Sequence, residues 1–143
     1  MLRGSGTVSI SRMVDQENIV LVVDDDLDAR AAASELLSDA GYRAFTARNG
    51  LEALQVLRGG VRPMAMVVDL HMPLMDGDTF CEACEADPRF AQIPRVIMSV
   101  NAQAKQRVLK RGAHAFVAKP IVPERLIEAI LSAGSTGSSS ESP

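Results

Sequence analysis

The chain has 143 residues, 47% of them hydrophobic, with 15 Lys and Arg against 18 Asp and Glu for a formal net charge of −3. A chain of this length suits one domain that buries about two-thirds of its unfolded surface, which argues against disorder and against a small scaffold held by disulfides or structural metal. The charge lacks the basic excess of a free-standing nucleic-acid binder, and four Phe, one Tyr and no Trp offer little to stack on bases or sugars.

Residues 1–17 are expected to form a flexible arm, with Met13 as a second possible start. This arm carries Arg3 and Arg12 but no apolar run long enough for a secretory signal. Ile19 to Val23, among the longest apolar stretches, is far too short to cross a bilayer, so a cytoplasmic protein away from membranes is expected. Residues 18–133 are expected to be the folded domain, and the Ser-rich residues 134–143 a disordered tail. Two cysteines, Cys81 and Cys84, are too few for a disulfide framework and fit a reducing compartment.

Between the tails, strand and helix patterns alternate. Ile19 to Val23 is β-branched with no polar alternation, as in a strand buried on both faces, and it ends in Asp24-Asp25-Asp26. Leu27 to Ala40 has helical spacing and stops at Gly41. Tyr42 to Ala47 predicts a second strand, and Asn49-Gly50 opens a helix with Leu51, Leu54 and Leu57, closed by Gly59-Gly60. Met64 to Val68 predicts the third strand, ending at Asp69. A loop to Gly77 leads to a helix near Asp78 to Ala86, broken at Asp87-Pro88. Arg95 to Met98 predicts the fourth strand, followed by Ser99. A helix over Asn101 to Arg111 ends at Gly112, and Ala115 to Ala118 predicts the fifth strand before Lys119-Pro120. Pro123 then opens a last helix to about Ala133.

Strict alternation with buried-type strands specifies an α/β fold with a parallel sheet covered by helices on both faces. Ligands of such sheets bind beyond the carboxyl ends of the strands. The residues there are Asp24, Asp25, Asp26, Asp69, Ser99 and Lys119. Four carboxylates at one edge repel unless a cation sits among them or some are protonated. All-oxygen donors favour Mg²⁺ over zinc, since neither His nor Cys is placed to complete a softer site. A metal, an ammonium and a hydroxyl together match the oxygens of a phosphoryl group, and Asp69 is the central candidate to accept one covalently.

These residues give the chain its resemblance to the response-regulator receiver domains of two-component signalling. The resemblance covers about residues 18 to 133 and rests on LVVDDD at 21–26, VVDLHMPLMDG at 67–77, VIMS at 96–99 and FVAKP at 116–120. It implies a (βα)5, doubly wound, flavodoxin-like fold with strand order 2-1-3-4-5. It also implies phosphoryl transfer to Asp69 from a histidine kinase or histidine phosphotransfer protein. Asp24 and Asp25 then match the acids that hold Mg²⁺, with Asp69 and the backbone carbonyl of His71 completing the protein ligands. Ser99 matches the switch hydroxyl, Phe116 the switch aromatic and Lys119 the family's lysine. The output would pass through the face made by the fourth helix, fifth strand and fifth helix, to a downstream protein or in a homodimer. Such a domain is a phosphoacceptor rather than a turnover enzyme.

Val100 departs from the Ala or Gly more common after the switch hydroxyl and is expected to narrow access to the phosphoryl site. His71 is placed to tune the lifetime of an aspartyl phosphate. Cys81 and Cys84 are expected to be ordinary helix residues. An aspartyl-phosphate phosphohydrolase of the haloacid dehalogenase type is the alternative, through Asp24-x-Asp26, although only Glu124 follows Lys119 where that family needs a further acidic pair. A receiver excised from a larger hybrid kinase or regulator is another.

Overall fold

The computed structural model describes residues 18–139, so the expected arm over 1–17 and the end of the expected tail, 140–143, lie outside the described residues. β1 (Ile19–Val23), β3 (Ala65–Asp69) and β4 (Arg95–Ser99) are buried at every position. Their continuous apolar runs follow from helices covering both faces of the sheet. β2 (Arg43–Ala47) and β5 (Ala115–Ala118) are only partly buried, because they form the two edges. All pairings are parallel and the order is β2-β1-β3-β4-β5, as the sequence motifs implied.

Alternation along each strand divides the core in two. Val20 and Val22 face one cluster, with Leu37 of α1 (Leu27–Asp39) and Leu126 and Ile130 of α5 (Pro123–Ser139). Leu21 and Val23 face the other. There Leu57 of α2 (Gly50–Arg58), Phe80 of α3 (Gly77–Glu85) and Val108 of α4 (Lys105–Lys110) close the layer. Each of these large side chains contributes about 1.5–3 kcal/mol by leaving water.

Most elements fall within a residue of expectation, and three of the differences have a local physical cause. The fourth helix is not continuous from Asn101 to Arg111: a 3₁₀ turn over Ala102–Ala104 precedes α4. The cause is local, since the Asn101 side chain accepts from the Gln103 N–H at 3.0 Å and so satisfies a first-turn donor in a tighter geometry. The third helix begins one residue early, at Gly77, because the Asp76 carboxylate caps it by accepting from the Thr79 N–H at 2.9 Å. The last helix continues to Ser139, past the end expected near Ala133. A helix already docked through Leu126, Ile130 and Ala133 propagates at one hydrogen bond per added residue, even through poor helix formers.

The register of the sheet sets the functional edge. Val23 pairs with Val68, so Asp24 and Asp69 lie one step beyond it on adjacent strands. Asp69 pairs with Met98 and Ser99 with Ala118, which brings Ser99 and Lys119 to the same end.

Candidate functional site

Asp24 and Asp69 are almost buried, with 1% and 6% exposure, and Ser99 is fully buried, whereas Asp25 is exposed. One carboxylate oxygen from each of Asp24, Asp25 and Asp69 can be drawn so that all three lie within 4.8 Å of one another. Lys119 closes the cluster: its Nζ lies 2.8 Å from Asp24 Oδ2 and 3.5 Å from Asp69 Oδ1. The strand ends therefore gather three acids, one ammonium and one hydroxyl.

The electrostatics follow from this packing. Burial first, then the neighbouring charge of Asp24, push the Asp69 carboxyl up from 3.8 to about 6, and the opposing pull of Lys119 does not cancel them. For Lys119, burial alone would lower the ammonium, but its hydrogen bond to Asp24 and the field of Asp69 outweigh this and hold it above its ordinary value. Asp69 thus sits in an acidic environment with incomplete compensation. Three hard oxygens of this kind fit a divalent cation with water in its remaining positions, as Mg²⁺ prefers.

Asp26 does not join the cluster, which corrects the expectation of four converging acids. Its carboxylate accepts from the Asp28 N–H at 3.3 Å and caps α1. Asp26 still lines the same cleft as Asp24, but its carboxylate is engaged at the helix cap rather than in the three-acid cluster. Two contacts at the site had no signal in the sequence. Arg30, at the end of the first turn of α1, donates from Nη1 to the Asp24 carbonyl at 2.8 Å and ties down the β1–α1 turn. Ser99 Oγ accepts from the Asn101 N–H at 3.0 Å, linking the buried hydroxyl to the turn that starts α4.

The other candidates fall as follows. Gly77 packs so closely beneath the site that an added Cβ would lie 2.7 Å from the Asp69 carbonyl oxygen. That contact makes the glycine a steric requirement as well as a turn residue. His71 is exposed in the loop after β3, and Phe116 on β5 is half-buried against the core. Val100, 75% exposed, lines a cleft of about 550 Å³ together with Asp24, Lys119 and Pro120, so it stands at the mouth of the site. The Lys119–Pro120 bond is cis. Cys81 is half-buried and Cys84 buried on α3, and burial pushes their thiols up to about 12 and 11, as befits packing residues.

Comparison with known proteins agrees with this geometry. The pattern of the response regulator receiver domain matches residues 20–131. Sensor histidine kinase CheAY of Helicobacter pylori is 32% identical over 119 residues, 81% of this chain and 15% of that protein. Transcriptional regulatory protein PrrA of Mycobacterium tuberculosis is 35% identical over 127 residues, 85% of this chain and 53% of that protein. The chain therefore spans about half the length of these curated relatives, or less. Among solved structures, chemotaxis response regulator CheY4 of Vibrio cholerae is similar at a TM-score of 0.75 and 30% identity, over 82% of this chain and 98% of that one.

Proposed function

This chain belongs to the response regulator receiver domains, and from that premise we propose that Asp69 is its phosphoacceptor, supplied by a histidine kinase or histidine phosphotransfer protein. The observation that carries the assignment is the bridging position of Lys119, 2.8 Å from Asp24 and 3.5 Å from Asp69, at the sheet edge where Ser99 also lies. Asp69 is the nucleophile: a carboxylate oxygen forms a bond to phosphorus as the donor's bond to phosphorus breaks. Lys119 and Ser99 then meet the phosphoryl oxygens with an ammonium and a hydroxyl donor.

Asp24, Asp25 and Asp69, with the backbone carbonyl of His71, would hold Mg²⁺. When bound, the ion neutralises charge on the acids and on the incoming phosphoryl group. Before phosphorylation, the pairing of Lys119 with Asp24 keeps the ammonium at the site and lowers the repulsion among the carboxylates.

The signal leaves through Ser99. In the present state its hydroxyl oxygen holds the Asn101 N–H. Turning the hydroxyl toward a phosphoryl oxygen releases that bond, frees the turn at the start of α4 and opens space for Phe116 to move inward. The face of α4, β5 and α5 then differs between the two states and passes the signal to a downstream protein or a second copy. The phosphoryl group is held once rather than turned over, and the setting is cytoplasmic. Among the described residues no helix is long and apolar enough to cross a membrane. Nothing in the geometry favours the phosphohydrolase reading, since Asp26 is engaged at the cap of α1.

The direct test is labelling by acetyl phosphate in the presence of Mg²⁺. Asp69→Asn should abolish it, and chelation should suppress it in the parent chain. Undiminished labelling of the variant removes Asp69 from the role, and steady multiple turnover of a phosphate ester would favour the enzyme instead.

A further inference from the structure

α4 has only six residues, of which Val108 alone is buried, and no side-chain bond caps its start. A helix this short is marginal by itself and stays folded through what it packs against. Apolar packing against α3 is incomplete, because a cavity of about 210 Å³ lies between the two helices, floored by Ile97, Val108 and Ala113. Asp78, Glu82 and Arg111 line the same cavity, and charged pairs cross it. Arg107 Nη1 lies 2.7 Å from Asp78 Oδ2, Arg111 Nη1 lies 3.5 Å from the same oxygen, and Arg111 Nη2 lies 3.8 Å from Glu82 Oε2. The acids stand four residues apart on α3 and the arginines four apart at α4, so one face of each helix carries a matching line of charge.

The two ends of α4 are held differently. Beyond its last turn Gly112 reverses the chain at a φ of 109°. The Gly112 carbonyl accepts from Nη2 of the buried Arg95 at 3.3 Å, and the same nitrogen lies 2.9 Å from Glu85 Oε2, so this end is fixed to β4 and α3. At the other end stand the bond from the Asn101 N–H to Ser99 Oγ and the Arg107–Asp78 pair, whose side chains are 47% and 28% exposed. Asp78 follows Gly77, which packs on the Asp69 carbonyl. The pair therefore links the helix seated beneath Asp69 to the helix that follows Ser99.

We propose that Arg107 and Arg111 form an ionic clasp with Asp78 and Glu82, which holds the start of α4 against the pivot at Gly112 and sets how readily the α4 face switches. Moving the start of α4 outward stretches the 2.7 Å pair first. Exposed pairs of this kind bias an equilibrium by up to about fivefold, enough to set a threshold and small enough for phosphorylation to override. The restraint on α4 stands by itself, whereas its effect on switching rests on the phosphoacceptor role of Asp69.

The test uses the full chain, ¹⁵N-labelled and without a phosphodonor. Hydrogen exchange is read at the Ala104 and Arg111 amides, which bond to the Asn101 and Arg107 carbonyls. Arg107→Gln should raise their exchange about twofold to fivefold and leave the Val22 amide of β1 unchanged. Asp78→Asn should act alike, and the double variant should add little to either. Raising salt from about 0.05 to about 1 M should loosen α4 in the parent more than in Arg107→Gln. Lys105→Gln, an equal change in charge on the side of α4 that lines the cleft with Phe116, should not raise exchange. Unchanged exchange in Arg107→Gln, fully additive effects, no response to salt, an equal rise in Lys105→Gln, or a rise that spreads to Val22 would overturn the clasp. Titration with beryllofluoride, a phosphoryl mimic, and Mg²⁺ then reads the switch. Arg107→Gln should bind it about twofold to fivefold more tightly than the parent, since its α4 is already freer to move. Equal binding would overturn the role of the clasp in switching. No binding by either chain would count against Asp69 and leave the clasp to be decided by exchange alone.

Discussion

Replacing Asp69, the proposed phosphoacceptor, should stabilise the metal-free fold. Asp69 is raised from 3.8 to about 6 by burial and by Asp24, against the pull of Lys119. The folded state therefore binds more protons than the unfolded state between those pH values, and stability falls as pH rises through that window. Above pH 6 the full cost of holding the ionised group is present. A difference of that size corresponds to about 3 kcal/mol, and solvent at the open edge screens it to about 1–2 kcal/mol. Asp69→Asn removes the charge while nearly keeping the shape. Urea denaturation in chelator at pH 7.5 should show the variant more stable by that amount, with the gain shrinking toward zero near pH 4. Added Mg²⁺ should reverse the order, because a ligand that binds only the folded parent raises its apparent stability. A variant no more stable at pH 7.5, or one whose gain is the same at pH 4, would refute the reasoning.

Gly77→Ala should cost about 1–3 kcal/mol through overpacking and should also slow labelling of Asp69, because the new Cβ meets the backbone of Asp69 and Leu70 at 2.7 and 2.9 Å. Normal stability with normal labelling would show that α3 shifts freely. His114 Nδ1 accepts from the Arg95 N–H at 3.1 Å, and burial together with the Arg95 charge holds the imidazole below its ordinary 6.5. Its contribution is therefore present above pH 6.5 and is lost as pH falls below that value, since the unfolded chain takes the proton first. Measured in the Asp69→Asn background, to remove the opposing titration, His114→Gln should flatten the decline of Tm between pH 7 and 5.5, and an unchanged slope would contradict the assignment.

Strand identity and strand order were legible for different reasons. Ile19–Val23 and Ala65–Asp69 announce burial on both faces by having no polar alternation. The edge strands carry weaker patterns because one flank is open, and Arg43–Ala47 was recognisable mainly from its place between two helices. The start of α4 was hidden because a side-chain bond from Asn101 competes with the helix, and hydrophobic spacing does not record such bonds. Asp76 and Asp26 illustrate the same limit: both look like site or loop acids, and both are helix caps.

The sequence by itself determined which chemical groups would stand at the carboxyl edge, since a run of buried-type strands must place Asp24, Asp25, Asp69, Ser99 and Lys119 where each strand ends. Tertiary structure decided how they act together. Parallel register put Asp24 beside Asp69, burial raised the carboxyl of Asp69, and a lysine 95 positions from Asp24 came within 2.8 Å of it. It also drew the Asp26 carboxylate into the cap of α1. Those outcomes depend on distances between residues remote in the chain and on the water excluded between them, and neither quantity is written in local pattern.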